Sequence, residues 1–352
     1  MSQGLPSDEP RAALPARLGE FADAVDCHLG TVIDGAPLPA DLAGMLRYHL
    51  GWVDERFQPT SAPRGKQLRP ALCLLACEAA GGNWREALSS AAAVELIHNF
   101  SLAHDDIEDG SPLRRHRPTL WALWGVPRAI NAGDTLLILA QLAALGEDGS
   151  DARRLAAARL LNRACRELCT GQHRDLSEAE GPQPTLDEYL ATIEGKTAAL
   201  LQAAAELGAL AAGAPGWLQA AYGRFGRELG LAFQLQDDVL DAWGDTVAIG
   251  KPAREDVRSR KQSLPIILGL GTADGDTRAR LRALYERPAP LSDEAVEAVI
   301  ALLEALGVRA EAERLVQAHF RAAAIALAEA NPDPAAGRLL EGLAESLVGR
   351  QA

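Results

Sequence analysis

Apolar residues recur at three- and four-residue spacing from about residue 19 almost to the C-terminus, the period of a helix with one buried face rather than the alternation of a strand. Breaks rich in Pro and Gly interrupt this pattern at Pro59 to Gly65, Gly81-Gly82-Asn83, Gly110 to Pro118, Gly146 to Ser150 and Gly181 to Pro184, and again at Gly213 to Gly216, Gly244 to Pro252, Gly271 to Gly275, Pro288 to Pro290 and Asn331 to Pro334. None is long enough for a flexible linker. The stretches between them run about 20 to 30 residues, which suits helices crossing a large bundle. The reading is all-α: one large helical-bundle domain over 19–352, preceded by a loose leader over 1–18, with no repeat of fixed period.

Composition agrees with this pattern, because Ala, Leu, Glu and Arg dominate while aromatic residues are 5% of the 352. Lys+Arg 35 against Asp+Glu 48 gives a net charge of −13, the wrong sign for a nucleic-acid partner. An acidic chain can still bind an anion where its basic residues converge on one pocket. The segment MSQGLPSDEPRAALPARL has no apolar core of signal-peptide length. The Ala/Leu-rich stretch from Ala198 to Ala214 is broken by Gln202 and Glu206, too polar for a span of ~20 apolar residues. A cytoplasmic protein with no membrane span is expected. The five cysteines form no disulfide framework, and Cys73/Cys77 and Cys165/Cys169, four apart on expected helices, read as core packing rather than shared metal ligands.

Two acid clusters carry the candidate chemistry. Asp105, Asp106 and Asp109 follow the apolar run from Val94 to His104, and Asp237, Asp238 and Asp241 follow Leu231 to Gln236 with the same i, i+1, i+4 spacing. On a helix this places the first and last acid of each set one turn apart on one face. Carboxylates at a helix C-terminus oppose the macrodipole, and carboxylates continuing an apolar face are costly without a compensating cation. Mg²⁺ takes oxygen ligands and binds through one or two carboxylates plus phosphates, which suits two facing clusters with a diphosphate between them. The step Glu95-Leu96-Ile97-His98 has the form used by di-iron bundles, but a second such step on another helix is missing.

A diphosphate ligand also needs converging cations. Lys66 and Arg69 stand at an expected helix start, where backbone N–H groups add to the attraction for an anion. Arg114 and Arg115 follow the first acid cluster, Lys196-Thr197 follows Gly195 inside a helical stretch, and Lys251 and Lys261 flank the loop after the second cluster.

With these motifs in this order, the sequence from about Gly65 to Pro265 resembles the trans-isoprenyl diphosphate synthases, the polyprenyl synthetase family. The resemblance implies an isoprenoid-synthase helical bundle with a central substrate cavity, acting as a homodimer. It implies that Asp105, Asp106, Asp109, Asp237, Asp238 and Asp241 hold Mg²⁺ on an allylic diphosphate. Lys66, Arg69, His98 and Arg115 would then grip isopentenyl diphosphate. Arg114, Lys196 and Lys251 would face the allylic diphosphate, supported by Thr197, Gln234 and Lys261. The implied reaction is loss of pyrophosphate to an allylic carbocation, which isopentenyl diphosphate captures, with pyrophosphate as the base. Gln67, His116, Trp121 and Arg254 depart from the family's usual residues, and they bear on substrate preference more than on activity.

Within the resemblance, the prenyl tail grows beneath the first acid cluster until a bulky side chain stops it. Phe100 is the candidate floor, about 7.5 Å along the axis from Asp105, with the small Ser101 beside it; the competing reading is that it simply fills the core. Geranylgeranyl diphosphate is the first expected product and farnesyl diphosphate the second. A class I terpene cyclase and a non-catalytic subunit of a two-part synthase are the competing readings, the first disfavoured by the second acid cluster and the basic residues, the second by both intact acid motifs.

Overall fold

In the computed structural model, which describes residues 9–60, 65–146, 149–181, 183–244, 254–286 and 289–349, helices follow one another as the periodicity requires. In order they are α1 (Glu9–Gly35), α2 (Ala40–His49), α3 (Leu68–Ala79), α4 (Leu88–Glu108), α5 (Leu120–Trp124), α6 (Val126–Leu145), α7 (Asp151–Glu180) and α8 (Leu186–Ile193). There follow α9 (Ala199–Ala211), α10 (Gly216–Trp243), α11 (Glu255–Arg258), α12 (Leu264–Thr272), α13 (Gly275–Tyr285), α14 (Asp293–Ala305), α15 (Val308–Glu329) and α16 (Pro334–Val348). Helix α1 begins inside the stretch read as a leader and buries Leu14.

Local chemistry sets the ends. Gly81, at φ +88°, closes α3 with its N–H on the Glu78 carbonyl, and Gly110, at φ +61°, closes α4 while Ser111 N–H reaches the Asp106 carbonyl. Thr185 and Glu188 form a reciprocal capping box at the start of α8. The break at Gly110 to Pro118 holds structure that the sequence reading did not expect. Leu113–Arg114 (β1) pairs antiparallel with Arg117–Pro118 (β2), and Arg115 and His116 at the tip both take left-handed φ.

The chain divides into two compact units. The first comprises Met1–Cys165, Ala203–Gly223 and Ala330–Leu340. Its centre is α4, which buries Ala91, Ala92, Ala93, Val94, Leu96 and Ile97 and packs chiefly on α6. At Gly208 a side chain would collide with the Cys73 carbonyl, so α9 and α3 meet backbone to backbone. Cys73 and Cys77, both fully buried, are the small residues this approach allows, and packing accounts for them. Cys165 is buried while Cys169 is exposed on the same helix.

The second unit comprises Arg166–Gln202, Arg224–Glu329 and Glu341–Ala352. Here Gly226 and Gly230 of α10 lie against the backbone of Leu201, Gln202 and Ala198, closer than any side chain would permit. The apolar α12 is buried against α13, α14 and α15.

Candidate active site

In the first unit the apolar helix α4 delivers its acids where the chain turns into the hairpin. Asp106 is 2% exposed, and Arg114 on β1 donates from Nε to its Oδ1 at 2.7 Å. Burial raises the Asp106 pKa, with Arg114 opposing and Asp105 and Asp109 adding to the shift. Asp105 is half-buried and Asp109 exposed. The hairpin base is fixed to this corner by Trp121 Nε1 and Thr119 Oγ1, both donating to the Ser111 carbonyl. Trp121, one of the departures from the family pattern, therefore acts as a hydrogen-bond donor.

The left-handed tip turns Arg115 back against Gly65, where an added Cβ would strike its guanidinium. Arg69 Nη1 of α3 lies 3.4 Å from His98 Nε2 of α4, while Lys66 is exposed. Burial, with Arg69, Arg115, Arg114 and His49, drives the His98 pKa well below its ordinary value, so His98 is neutral. His49 of α2, whose Nε2 lies 3.0 Å from the Asn99 carbonyl, is lowered to about 4 by burial and by Arg114. Arg69, His98, Arg114 and Arg115, proposed from sequence, are thus gathered in one place. His49, Tyr48 and Arg117, which the sequence did not mark, line a small cavity together with Asp106, Arg114 and Arg115. Arg117 stacks 4.1 Å from the Tyr48 ring centre and bonds the Val53 carbonyl, a contact between segments 64 residues apart that no local pattern announces.

Phe100 is 6% exposed and meets the His104 ring edge-on at 4.9 Å between centroids, and His104 fills the space above Gly133 of α6. Ser101 Oγ donates to the His98 carbonyl of its own helix.

In the second unit the other acid cluster is held by a different network. Asp238 is buried and accepts from Tyr189 Oη at 2.7 Å, Leu264 N–H at 2.8 Å and Gln234 Nε2 at 3.1 Å. Burial raises its pKa against the pull of Lys261 and the Leu264 N–H. Asp241, also buried, accepts the Asp256 N–H at 3.0 Å, and its carbonyl accepts the N–H of Arg254. Arg254 sits at φ +65°, a conformation that explains why Gly is usual there. Asp237 is half-buried.

Lys196 and Thr197 lie in a π-helical turn, Glu194–Ala198, joining α8 to α9. Gly171 and Gly195 face each other so closely that α7 touches this turn through backbone. Lys196 Nζ donates to Asp175 Oδ2 at 2.6 Å, and Thr197 Oγ1 donates to Gln234 Oε1 at 2.9 Å. Burial works against the charge of Lys261, but Asp256, Asp238 and Asp175 outweigh it and raise its pKa. Asp175, Tyr189 and Asp256 were not found from sequence. Lys251 lies outside the described residues.

Among the described residues no three His, Cys, Asp or Glu side chains are arranged as a ready-made metal cage. Mg²⁺ needs no such cage, since water and phosphate complete its octahedron around one or two carboxylates. Asp105 and Asp109 in the first unit, half-buried and exposed, and Asp237 in the second, half-buried, are candidate ligands of that kind, each within its own unit. Among the described residues no helix is long and apolar enough to cross a membrane.

A sequence model of the family described as polyprenyl synthetase matches residues 51–303. The chain is 41% identical over 338 residues to a (2E,6E)-farnesyl diphosphate synthase of Mycobacterium tuberculosis, covering 95% of this chain and 90% of the relative. It is 39% identical over 325 residues to a geranylgeranyl diphosphate synthase of the same organism, covering 92% of each. The crystal structure of a polyprenyl synthetase from Streptomyces coelicolor A3(2) superposes with a TM-score of 0.88 at 33% identity, covering 95% of this chain and 99% of that one.

Proposed function

The chain belongs to the polyprenyl synthetase family, and from that premise we propose that it is a Mg²⁺-dependent trans-prenyltransferase joining isopentenyl diphosphate to an allylic diphosphate. The observation that carries this is the gathering of Arg69, Arg114 and Arg115 beside the aspartates at the end of α4. A patch offering both carboxylates and guanidiniums suits a diphosphate that arrives with its metal.

Bound Mg²⁺ would neutralise the diphosphate oxygens and make pyrophosphate a better leaving group. In the first unit Asp105 and Asp109 would hold Mg²⁺, and in the second unit Asp237 would do so. Asp106, Asp238 and Asp241, buried and already engaged by Arg114, by Tyr189, Gln234 and the Leu264 N–H, and by the Asp256 N–H, would keep the two helix ends in place. Lys66, Arg69, Arg115 and neutral His98 would bind isopentenyl diphosphate. Arg114, Lys196, Lys261 and, by resemblance alone, Lys251 would bind the allylic diphosphate, with Thr197 and Gln234 in support.

The allylic C–O bond breaks with its electron pair leaving on pyrophosphate. The double bond of isopentenyl diphosphate then forms the new C–C bond, and a proton passes to pyrophosphate. No protein base is required, which accords with the depressed basicity of His98 and His49. The side chains' remaining task is to keep water from the cation.

The proposed product is geranylgeranyl diphosphate, on the position of Phe100 five residues before Asp105. The 41% identity to a farnesyl diphosphate synthase favours fifteen carbons as the second reading. We further propose a cytoplasmic homodimer, supported by the exposed apolar residues Ile130, Ile138, Leu142 and Leu145 on α6, a surface that a second copy could cover. The test is mass spectrometry of products from purified protein given isopentenyl diphosphate with five-, ten- or fifteen-carbon allylic primers, with and without EDTA. Elongated prenyl diphosphates that disappear with EDTA are expected. Hydrocarbon or alcohol made from the allylic substrate alone would replace this reading with a cyclase.

A further inference from the structure

Glu95 lies on α4 one turn before His98 and is 4% exposed. Its Oε1 accepts the Asn99 amide at 2.9 Å, while Oε2 is buried without a hydrogen-bond partner. An apolar residue here would avoid both the desolvation and the unsatisfied oxygen. Two cations act on this carboxyl, Arg69 from α3 and Arg115 from the hairpin tip, and Glu95 is the acid that most supports the charge of the half-buried Arg115. Arg114 is balanced separately by Asp106. The other charged group acting on Glu95 is Asp26 of α1, which accepts the Gln67 amide, while His98, one turn along α4, is held neutral.

A buried anion on α4 attracts both guanidiniums and favours their charged state before any substrate arrives. We propose that Glu95 is a positioning residue for the isopentenyl diphosphate subsite, its carboxylate holding Arg69 and Arg115 in the orientation that receives that diphosphate. This rests on the prenyltransferase reading above. Burial raises the Glu95 pKa from 4.5 to about 7, with Asn99, Arg69 and Arg115 opposing and Asp26 adding to the rise. The positioning charge is therefore lost as pH falls below neutrality.

The experiment measures KM for both substrates with the full chain, Mg²⁺, wild type and Glu95→Gln, between pH 6 and pH 8. Because unpositioned side chains must be reordered on binding, Glu95→Gln is expected to raise KM for isopentenyl diphosphate about ten-fold, with kcat and the allylic KM within about two-fold of wild type. Both substrates carry the same diphosphate, so the ratio of their KM values cancels its own ionisation. In wild type that ratio, isopentenyl over allylic, is expected to rise several-fold from pH 8 to pH 6, and in Glu95→Gln to stay flat. Glu95→Asp should recover part of the loss. An unchanged isopentenyl KM, or equal changes in both KM values, would overturn the positioning role. Should Glu95→Gln not fold, a flat ratio in wild type alone would overturn it. No consumption of isopentenyl diphosphate by wild type would sink the prenyltransferase reading and this inference with it.

Discussion

Arg114 and Asp106 form a 2.7 Å ion pair in which the carboxylate is buried and the guanidinium is about one-third exposed. The pair ties the hairpin to the end of α4, so it shapes the corner on which Asp105 and Asp109 stand. Asp106→Ala should cost about 1–3 kcal/mol of stability, because it removes the partner of a half-buried charge and opens a hole at the helix end. Asp105→Ala should cost less stability and more turnover. Urea denaturation alongside steady-state assays would separate the two, and equal stability losses would argue against the division between supporting and metal-facing carboxylates.

The Gly171–Gly195 contact makes a second prediction. A methyl group at Gly171 would run into the backbone N–H of Lys196, with no flexible side chain to yield. Gly171→Ala should therefore push α7 from the π-helical turn, costing about 1–3 kcal/mol. Lys196 would move with the turn and loosen its bond to Asp175, so the allylic KM should rise while the isopentenyl KM holds. A thermal melt and the two KM values check this, and an unperturbed allylic KM would argue against Lys196 as an allylic contact.

The parts that local sequence could show are those fixed by local physics. The 3.6-residue period produced α4 and α10, and the repeated acid spacing marked Asp105 to Asp109 and Asp237 to Asp241 on their ends. What stayed hidden depends on which segments meet in space. Asp238 and Tyr189 are 49 residues apart, and nothing about a tyrosine in a short helix names its acceptor. Asp175 and Lys196 meet because two glycines let their helices touch. The hairpin is invisible to local pattern because Arg115 and His116 occupy left-handed positions where Gly or Asn would announce a turn. Resemblance placed Arg69 with His98, but the neutral state of that histidine is a product of burial and of the surrounding arginines.

The buried Glu95 should leave a mark on stability as well as on binding. Its folded pKa, about 7, lies above its ordinary 4.5, so the folded state prefers the protonated form. The stability it contributes is present below pH 4.5 and lost as pH rises through 7, on the order of 2–3 kcal/mol across that window. Glu95→Gln carries no titrating proton, so its melting temperature relative to wild type should become steadily more favourable from pH 5 to pH 8. A difference constant over that range would mean that Glu95 stays in one charge state.

Phe100 distinguishes a floor from ordinary core. Its ring is nearly buried, packed edge-on to His104, so Phe100→Ala should cost about 3–5 kcal/mol if the surroundings do not relax. If the ring also ends the space for the growing tail, the variant should add further five-carbon units and shift product from twenty carbons to longer chains. Phe100→Leu keeps more of the volume and should fold better, with a smaller shift. Mass spectrometry of products, normalised to folded protein by circular dichroism, reads both effects. Lowered stability with the same product length would leave Phe100 as a packing residue and move the search for the floor elsewhere along α4.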